Sequence, residues 1–222
     1  LDRDIDAKME RTKNRAIPAG KVSVQNALIF ASVLGVIGAA FLYFGTNLLA
    51  LLVTLFGMAV YLGLYTPLKP VTVHATLLGA VSGAIPPVVG YVAVVNALDA
   101  TALVLFLILV SWQMVHFFAI AIFRVDEYGA ARIPVLPVRY GIRITMVAMT
   151  LYTFVFAYAA LALYLIGSAQ VLYAAVLSLL SVVWIIFALS GFWTKSDRVW
   201  ARRMFFYSLV VILVFSLMLM VN

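Results

Sequence analysis

The sequence predicts an all-α protein, a bundle of helices that crosses a membrane several times. Three observations lead there. Of 222 residues, 66% are hydrophobic and only 10% are charged, whereas about a quarter of the residues in soluble domains carry charge. The apolar residues fall in runs close to the ~20 residues that cross about 30 Å of hydrocarbon as helix. All fifteen Lys and Arg residues lie in four short segments outside those runs, one ahead of the first and three between later ones. Lipid offers no partner to a free backbone amide, so runs of this kind must be helical.

In chain order the expected spans are Val24 to Phe44, Leu48 to Tyr65, Ala75 to Val95, Ala102 to Phe123, Ile144 to Ile166, Val171 to Leu189 and Met204 to Val221. The first follows a charged opening, LDRDIDAKMERTKNRAIPAGK, which Pro18-Ala19-Gly20 breaks. The third holds Gly79 and Gly83 four residues apart and Pro86-Pro87 near mid-membrane. Small residues at that spacing let helices approach closely, and prolines remove backbone donors and bend the helix. The longest connections, Arg124 to Arg143 and Phe192 to Arg203, are polar and fall on the same side as the opening segment. With short loops and no low-complexity linker, residues 1–222 read as one membrane-embedded domain.

Charge placement sets the expected orientation. The basic residues occupy the opening segment and every second connection, and the other connections contain one charge, Asp99. Basic segments stay on the side of synthesis, so they are expected to face the cytoplasm. The net charge of +7 is then a topological signal, suited also to anionic lipid and phosphate. Nothing resembles a base-reading or stacking surface, so nucleic acid is not an expected partner. The absence of cysteine excludes disulfides, thiolate metal sites and thiol nucleophiles. The chain starts at Leu1 with no apolar leader ahead of its charges, and is expected to be a fragment lacking upstream helices.

Two clusters could carry chemistry. In the opening segment, Asp2 and Asp6 stack at i and i+4 if the stretch is helical, where two carboxylates can share a divalent cation. Mg²⁺ usually takes one or two carboxylates and leaves its other positions to water and substrate phosphates, so the pair suggests diphosphate chemistry, with Arg11 and Arg15 nearby. The alternative is a solvated face with topology anchors. The second cluster comprises Trp112, Gln113 and His116 on the fourth span, then Arg124, Asp126, Glu127 and Tyr128. Gln113, His116, Ile120, Arg124 and Glu127 form one helical stripe, with His116 about 12 Å below Arg124 by helical rise. An ionisable group at that depth suggests function, although a histidine bonded to a neighbouring helix would look the same. Glu127 could complete a cation site with Asp2 and Asp6, and Lys69, Arg132 or Arg139 could hold phosphate oxygens or lipid headgroups.

The segments DRDIDAKMERTKNR, YTPLKP, SGAIPPVVGY, WQMVHFFAIAIFR and EYGAARIPVLPV, in that order, resemble the heme O synthase family, the protoheme IX farnesyltransferases of the intramembrane aromatic prenyltransferase superfamily. The likeness runs over essentially the whole chain. It implies a nine-helix bundle of which seven spans are present, and Mg²⁺ with farnesyl diphosphate at an N-x-x-x-D-x-x-x-D motif whose acids are Asp2 and Asp6. It also implies diphosphate contacts from Arg11 and Arg15, which match the family's R-T-x-x-R segment, and a second acidic motif at Glu127 or Asp126; Lys69, Arg124 and Arg132 are the further candidate diphosphate contacts. Heme b would be the acceptor, near Trp112, Gln113 and His116. The sequence departs from the family pattern at Val115 and Ala16, where proline is usual, and at Glu127, where the family has Asp. The resemblance further implies a bacterial inner membrane and a downstream heme A synthase or terminal oxidase assembly. A quinone-type acceptor is the alternative substrate. A secondary transporter is the alternative class, disfavoured because only one span is strongly interrupted and the acids gather at one face.

Overall fold

The structure is a computed structural model that describes Arg3, Ala7 and residues 12–221. Seven of its helices are long and apolar enough to cross a membrane. These are α1 (Val24–Gly45), α2 (Leu48–Leu68), α3 (Ala75–Val95), α4 (Ala100–Phe123), α7 (Ile142–Leu165), α8 (Val171–Ser190) and α9 (Asp197–Met220). Two short helices, α5 (Val125–Ala130) and α6 (Leu136–Tyr140), fill the connection between α4 and α7.

Polar side chains start the spans and stitch one end of the bundle. Asn47 accepts from the Ala50 amide to cap α2 and donates its own amide to the carbonyls of Val92 and Ala93, joining the start of α2 to the end of α3. Asn96 takes a left-handed conformation (φ 55°) that stops α3, and three residues later Asp99 caps α4 by accepting from Ala102 N–H at 3.0 Å. Its other oxygen accepts from the Tyr91 hydroxyl at 2.7 Å. Thr101 and Ser168 share a hydrogen bond of 2.7 Å that ties the neighbouring connection to the same end.

At the opposite end α2 widens into a π-helical stretch, Val60–Tyr65. Pro67 explains the wider turn: it has no N–H to give the carbonyl four residues back, and its ring crowds that carbonyl. The Tyr61 carbonyl instead accepts from both the amide and the hydroxyl of Thr66.

The centre of the bundle is α4, the most buried span, which packs against α3, α7 and α9. Lipid tails are as apolar as Leu, so these contacts hold through close packing and hydrogen bonds more than through exclusion of water. Close approach needs small residues: Ala80 and Ala84 of α3 and Ala119 of α4 are fully buried. On α8 the buried stripe is Tyr173, Leu177, Ser181, Trp184 and Ala188. Trp184 packs edge-on against Phe156 of α7 at 5.2 Å between centroids. Among the described residues nothing bonds Tyr173 Oη, Ser181 Oγ or Trp184 Nε1.

The last span departs from expectation. It begins at Asp197, not Met204, so the long connection expected over 192–203 shrinks to a 3₁₀ turn, Gly191–Trp193, and residues 194–196. Arg198, Arg202 and Arg203 ride on the exposed side of the first turns of α9 while Trp200, Ala201 and Met204 are buried on the other. A stretch this charged reads as loop by composition, but its apolar positions keep the helical period of the span that follows. Gly191 lies under the Trp200 ring, where an added Cβ would come within 2.5 Å of the indole. The Trp200 indole N–H is held by the Phe187 carbonyl at 3.0 Å.

Candidate functional site

A cavity of about 980 Å³ opens among α2, α3, α4 and the loop after α5. Its mouth carries Lys69, Arg124 and Tyr128 at the end of the bundle opposite Asp99. The wall from α2 is aromatic, with Tyr61 and Tyr65, and Lys69 Nζ lies 5.9 Å from the Tyr65 ring centre. Ile133, Pro134 and Val135 close the mouth from the side. The floor reaches Gly83, Pro86 and Gln113 at mid-span.

Backbone geometry explains the floor. α3 runs on as a continuous helix through Pro86 and Pro87, whose missing amides leave the carbonyls of Ser82 and Gly83 without their usual helical donors. Gln113 of α4 packs directly against Gly83, so closely that a Cβ there would stand 2.1 Å from its Oε1. At Gly79 an added Cβ would come within 2.9 Å of the Tyr65 ring. The two glycines thus make room for the groups that line the cavity.

The mouth is electrostatically organised. Arg124 donates to both oxygens of Glu127 at 3.0 and 3.1 Å, and its guanidinium lies 5.5 Å from the Phe123 ring centre. Arg202 of α9 approaches the same ring at 5.8 Å. Asp126 is engaged by Arg198, which links α5 to the start of α9. All four partners of these two ion pairs are substantially exposed, so each pair is worth at most about 1 kcal/mol.

The expected site residues fall into three groups. Asp2, Asp6 and Arg11 lie outside the described residues. Lys69, Arg124 and Gln113 line the cavity. Arg15, Arg132, Asp126, Glu127, Trp112 and His116 are not in its lining. Arg15 is exposed ahead of α1. Arg132 is exposed and left-handed (φ 55°), the turn that swings Ile133 to Val135 back over the cavity. Glu127 and Asp126 sit one turn from the mouth in their ion pairs.

The stripe on α4 therefore divides. Gln113, Ile120 and Arg124 face the cavity, whereas His116, at the edge of that stripe, turns to α9. Its Nδ1 lies 2.8 Å from Ser208 Oγ. Trp112, one turn away, donates to the Ser208 carbonyl at 2.7 Å and stacks on the imidazole at 5.2 Å between centroids. Phe205 bridges the two regions: it lines the cavity and its ring lies 4.6 Å from that of His116. Tyr61 and Tyr65 were not singled out in the sequence although their spacing with Lys69, every fourth residue, places all three on one face. Arg202, Phe205 and Ser208 had no such signal.

Among the described residues no three His, Asp or Glu side chains gather as a metal site. The donors near the mouth, Asp126 and Glu127, are carboxylates, the class that Mg²⁺ prefers, and Mg²⁺ needs only one or two of them. The described residues fit such an ion as contributors to a site and not as a complete one.

An integral membrane bundle with a cationic mouth over an aromatic, apolar chamber suits an amphiphile with an anionic head. The model of the UbiA prenyltransferase family matches residues 1–210, and the chain belongs to that family. It is 47% identical over 223 residues to protoheme IX farnesyltransferase 2 of Pseudomonas fluorescens, covering 100% of this chain and 76% of that protein. It is 49% identical over 224 residues to protoheme IX farnesyltransferase of Pectobacterium atrosepticum, with the same coverage. A solved structure of digeranylgeranylglyceryl phosphate synthase superposes with a TM-score of 0.79 at 16% identity, covering 99% of this chain and 76% of that one. At that identity the likeness is one of fold.

Proposed function

We propose that the protein transfers the farnesyl group of farnesyl diphosphate to a vinyl group of heme b, giving heme O. The observation that carries the reading is the cavity: about 980 Å³, cationic at its mouth and aromatic and apolar below. The names of relatives sharing 46–49% identity supply the substrates.

Lys69 and Arg124 hold the diphosphate oxygens at the mouth, and Arg124 exchanges Glu127 for the diphosphate as it does so. Asp2, Asp6 and Glu127 would hold Mg²⁺, which supplies positive charge to the departing diphosphate. These charges stabilise the leaving group as the allylic carbon–oxygen bond breaks. The π faces of Tyr61, Tyr65 and Phe117 favour the cationic farnesyl chain, and the apolar walls keep water from it until the vinyl carbon has attacked. Water then adds to the resulting cation and loses a proton, leaving a hydroxyethylfarnesyl group. On this reading the basic segments face the cytoplasm of the inner membrane.

The test is to supply membranes holding the complete protein with farnesyl diphosphate, Mg²⁺ and heme b, and to look for farnesylated porphyrin by mass. Asp2→Asn with Asp6→Asn should abolish product while leaving insertion intact. Undiminished heme O in that variant would remove the metal role, and no farnesylated porphyrin from the unaltered protein would overturn the reading.

A further inference from the structure

We propose that Ile85, seated against Gly57, is the stop that sets donor length: the chamber admits the three isoprene units of a farnesyl chain and blocks a fourth. The inference rests on a prenyl diphosphate being the donor.

The cavity is about one farnesyl chain deep. With the diphosphate at Lys69 and Arg124, the chain runs inward along α3 and α4. From Arg124 to Gln113 on α4, and from Ala75 to Pro86 on α3, the lining residues span about 16 Å by helical rise. An extended isoprene unit is about 5 Å long, four carbon–carbon bonds of about 1.5 Å in zigzag. Three units therefore reach about 15 Å, and four would need about 20 Å, which carries the end of the chain past the floor.

The floor is solid. Ile85 lines the cavity and yet is only 7% exposed, as a residue at its closed end would be. It fills the space where a side chain on Gly57 would stand, and both its γ carbons lie 2.9 Å from the position of an added Cβ. The glycine on α2 thus lets the Ile85 side chain of α3 bridge the two helices. Beyond that bridge, Ile85 joins Ala50, Val53, Val88, Val92 and Ala102 in a buried apolar cluster, and packed interiors leave no room for five further carbons. The α4 side closes with polar groups. Gln113 packs on Gly83, whose carbonyl lacks its helical donor, and hydrocarbon pressed between them would leave those groups unpaired.

The test uses the full-length protein in membranes with heme b and Mg²⁺, and compares geranyl, farnesyl and geranylgeranyl diphosphates as donors by kcat/KM. Ratios between donors, measured on one preparation, do not depend on how much of the protein is folded. The unaltered protein should favour farnesyl over geranylgeranyl at least about tenfold, since even one methylene is worth that much in an apolar pocket. Ile85→Ala should raise the geranylgeranyl-to-farnesyl ratio at least about tenfold. Ile85→Val, a smaller deletion that the core tolerates more easily, should raise it by less, about threefold. Gly83→Ala moves the floor the other way by pushing Gln113 into the chamber, and should raise the geranyl-to-farnesyl ratio about tenfold. Equal use of farnesyl and geranylgeranyl by the unaltered protein, or an unchanged ratio in both Ile85 variants, would overturn the proposal. The chain would then leave the chamber sideways into lipid, and the farnesyl transfer itself would stand. No product from any donor with the unaltered protein would overturn the transfer as well.

Discussion

Gln113 lies against the backbone of Gly83 at the floor of the cavity, where a single added carbon would stand 2.1 Å from its side-chain oxygen. Gly83→Ala should therefore push the Gln113 amide into the chamber. The amide is the free end of a flexible side chain, so the protein should still fold. Product formation should fall about tenfold or more, since small displacements of a positioned group are costly. Activity assays paired with thermal melts distinguish this from misfolding.

Gly191 faces a stiffer neighbour. A Cβ there would meet the Trp200 indole at 2.5 Å, and that ring is anchored to the Phe187 carbonyl. Gly191→Ala should destabilise the protein by about 1–3 kcal/mol, as overpacking does. Unfolding in detergent is the measurement, and a neutral result would mean that the start of α9 moves freely.

The neighbouring acids Asp126 and Glu127 should behave differently. Asp126→Asn removes an exposed ion pair with Arg198, worth at most about 1 kcal/mol, and should leave activity nearly intact. Glu127→Gln removes the partner of a cavity-lining arginine and, on the proposed mechanism, a metal ligand. It should cost at least about 100-fold in turnover, the scale of a lost electrostatic group. Steady-state kinetics of the two variants decides which acid serves the site.

Acid should loosen the other end of the bundle. The Tyr91 hydroxyl and then the Ala102 amide hold the Asp99 carboxyl below its ordinary value of 3.8. A carboxyl lowered in the folded state contributes stability that is complete above the unfolded value and is lost as pH falls through the folded one. Melting temperatures measured from pH 6 down to pH 2 should show a loss below about pH 4 that Asp99→Asn shifts or removes.

The seven spans were legible because lipid imposes one rule on the backbone of every apolar run that crosses it. The start of α9 was not legible, because Arg198, Arg202 and Arg203 hide the helical period carried by Trp200, Ala201 and Met204. At the site, Lys69, Arg124 and Gln113 could be picked out by charge and by depth. The split between Gln113 and His116 depended on which neighbour each meets, α3 or α9, and one helix's own pattern does not contain that information. Ser208 gave no signal for the same reason: a serine within an apolar span becomes informative only when its partners are in view.

The unpartnered polar atoms on α8 mark this span as the place to make a hardier protein. A hydroxyl shut away without a bonding partner costs about 1–3 kcal/mol, so Ser181→Ala and Tyr173→Phe should each raise heat tolerance with little change in shape. Both lie away from the reaction chamber, and a sturdier version obtained there should keep its chemistry.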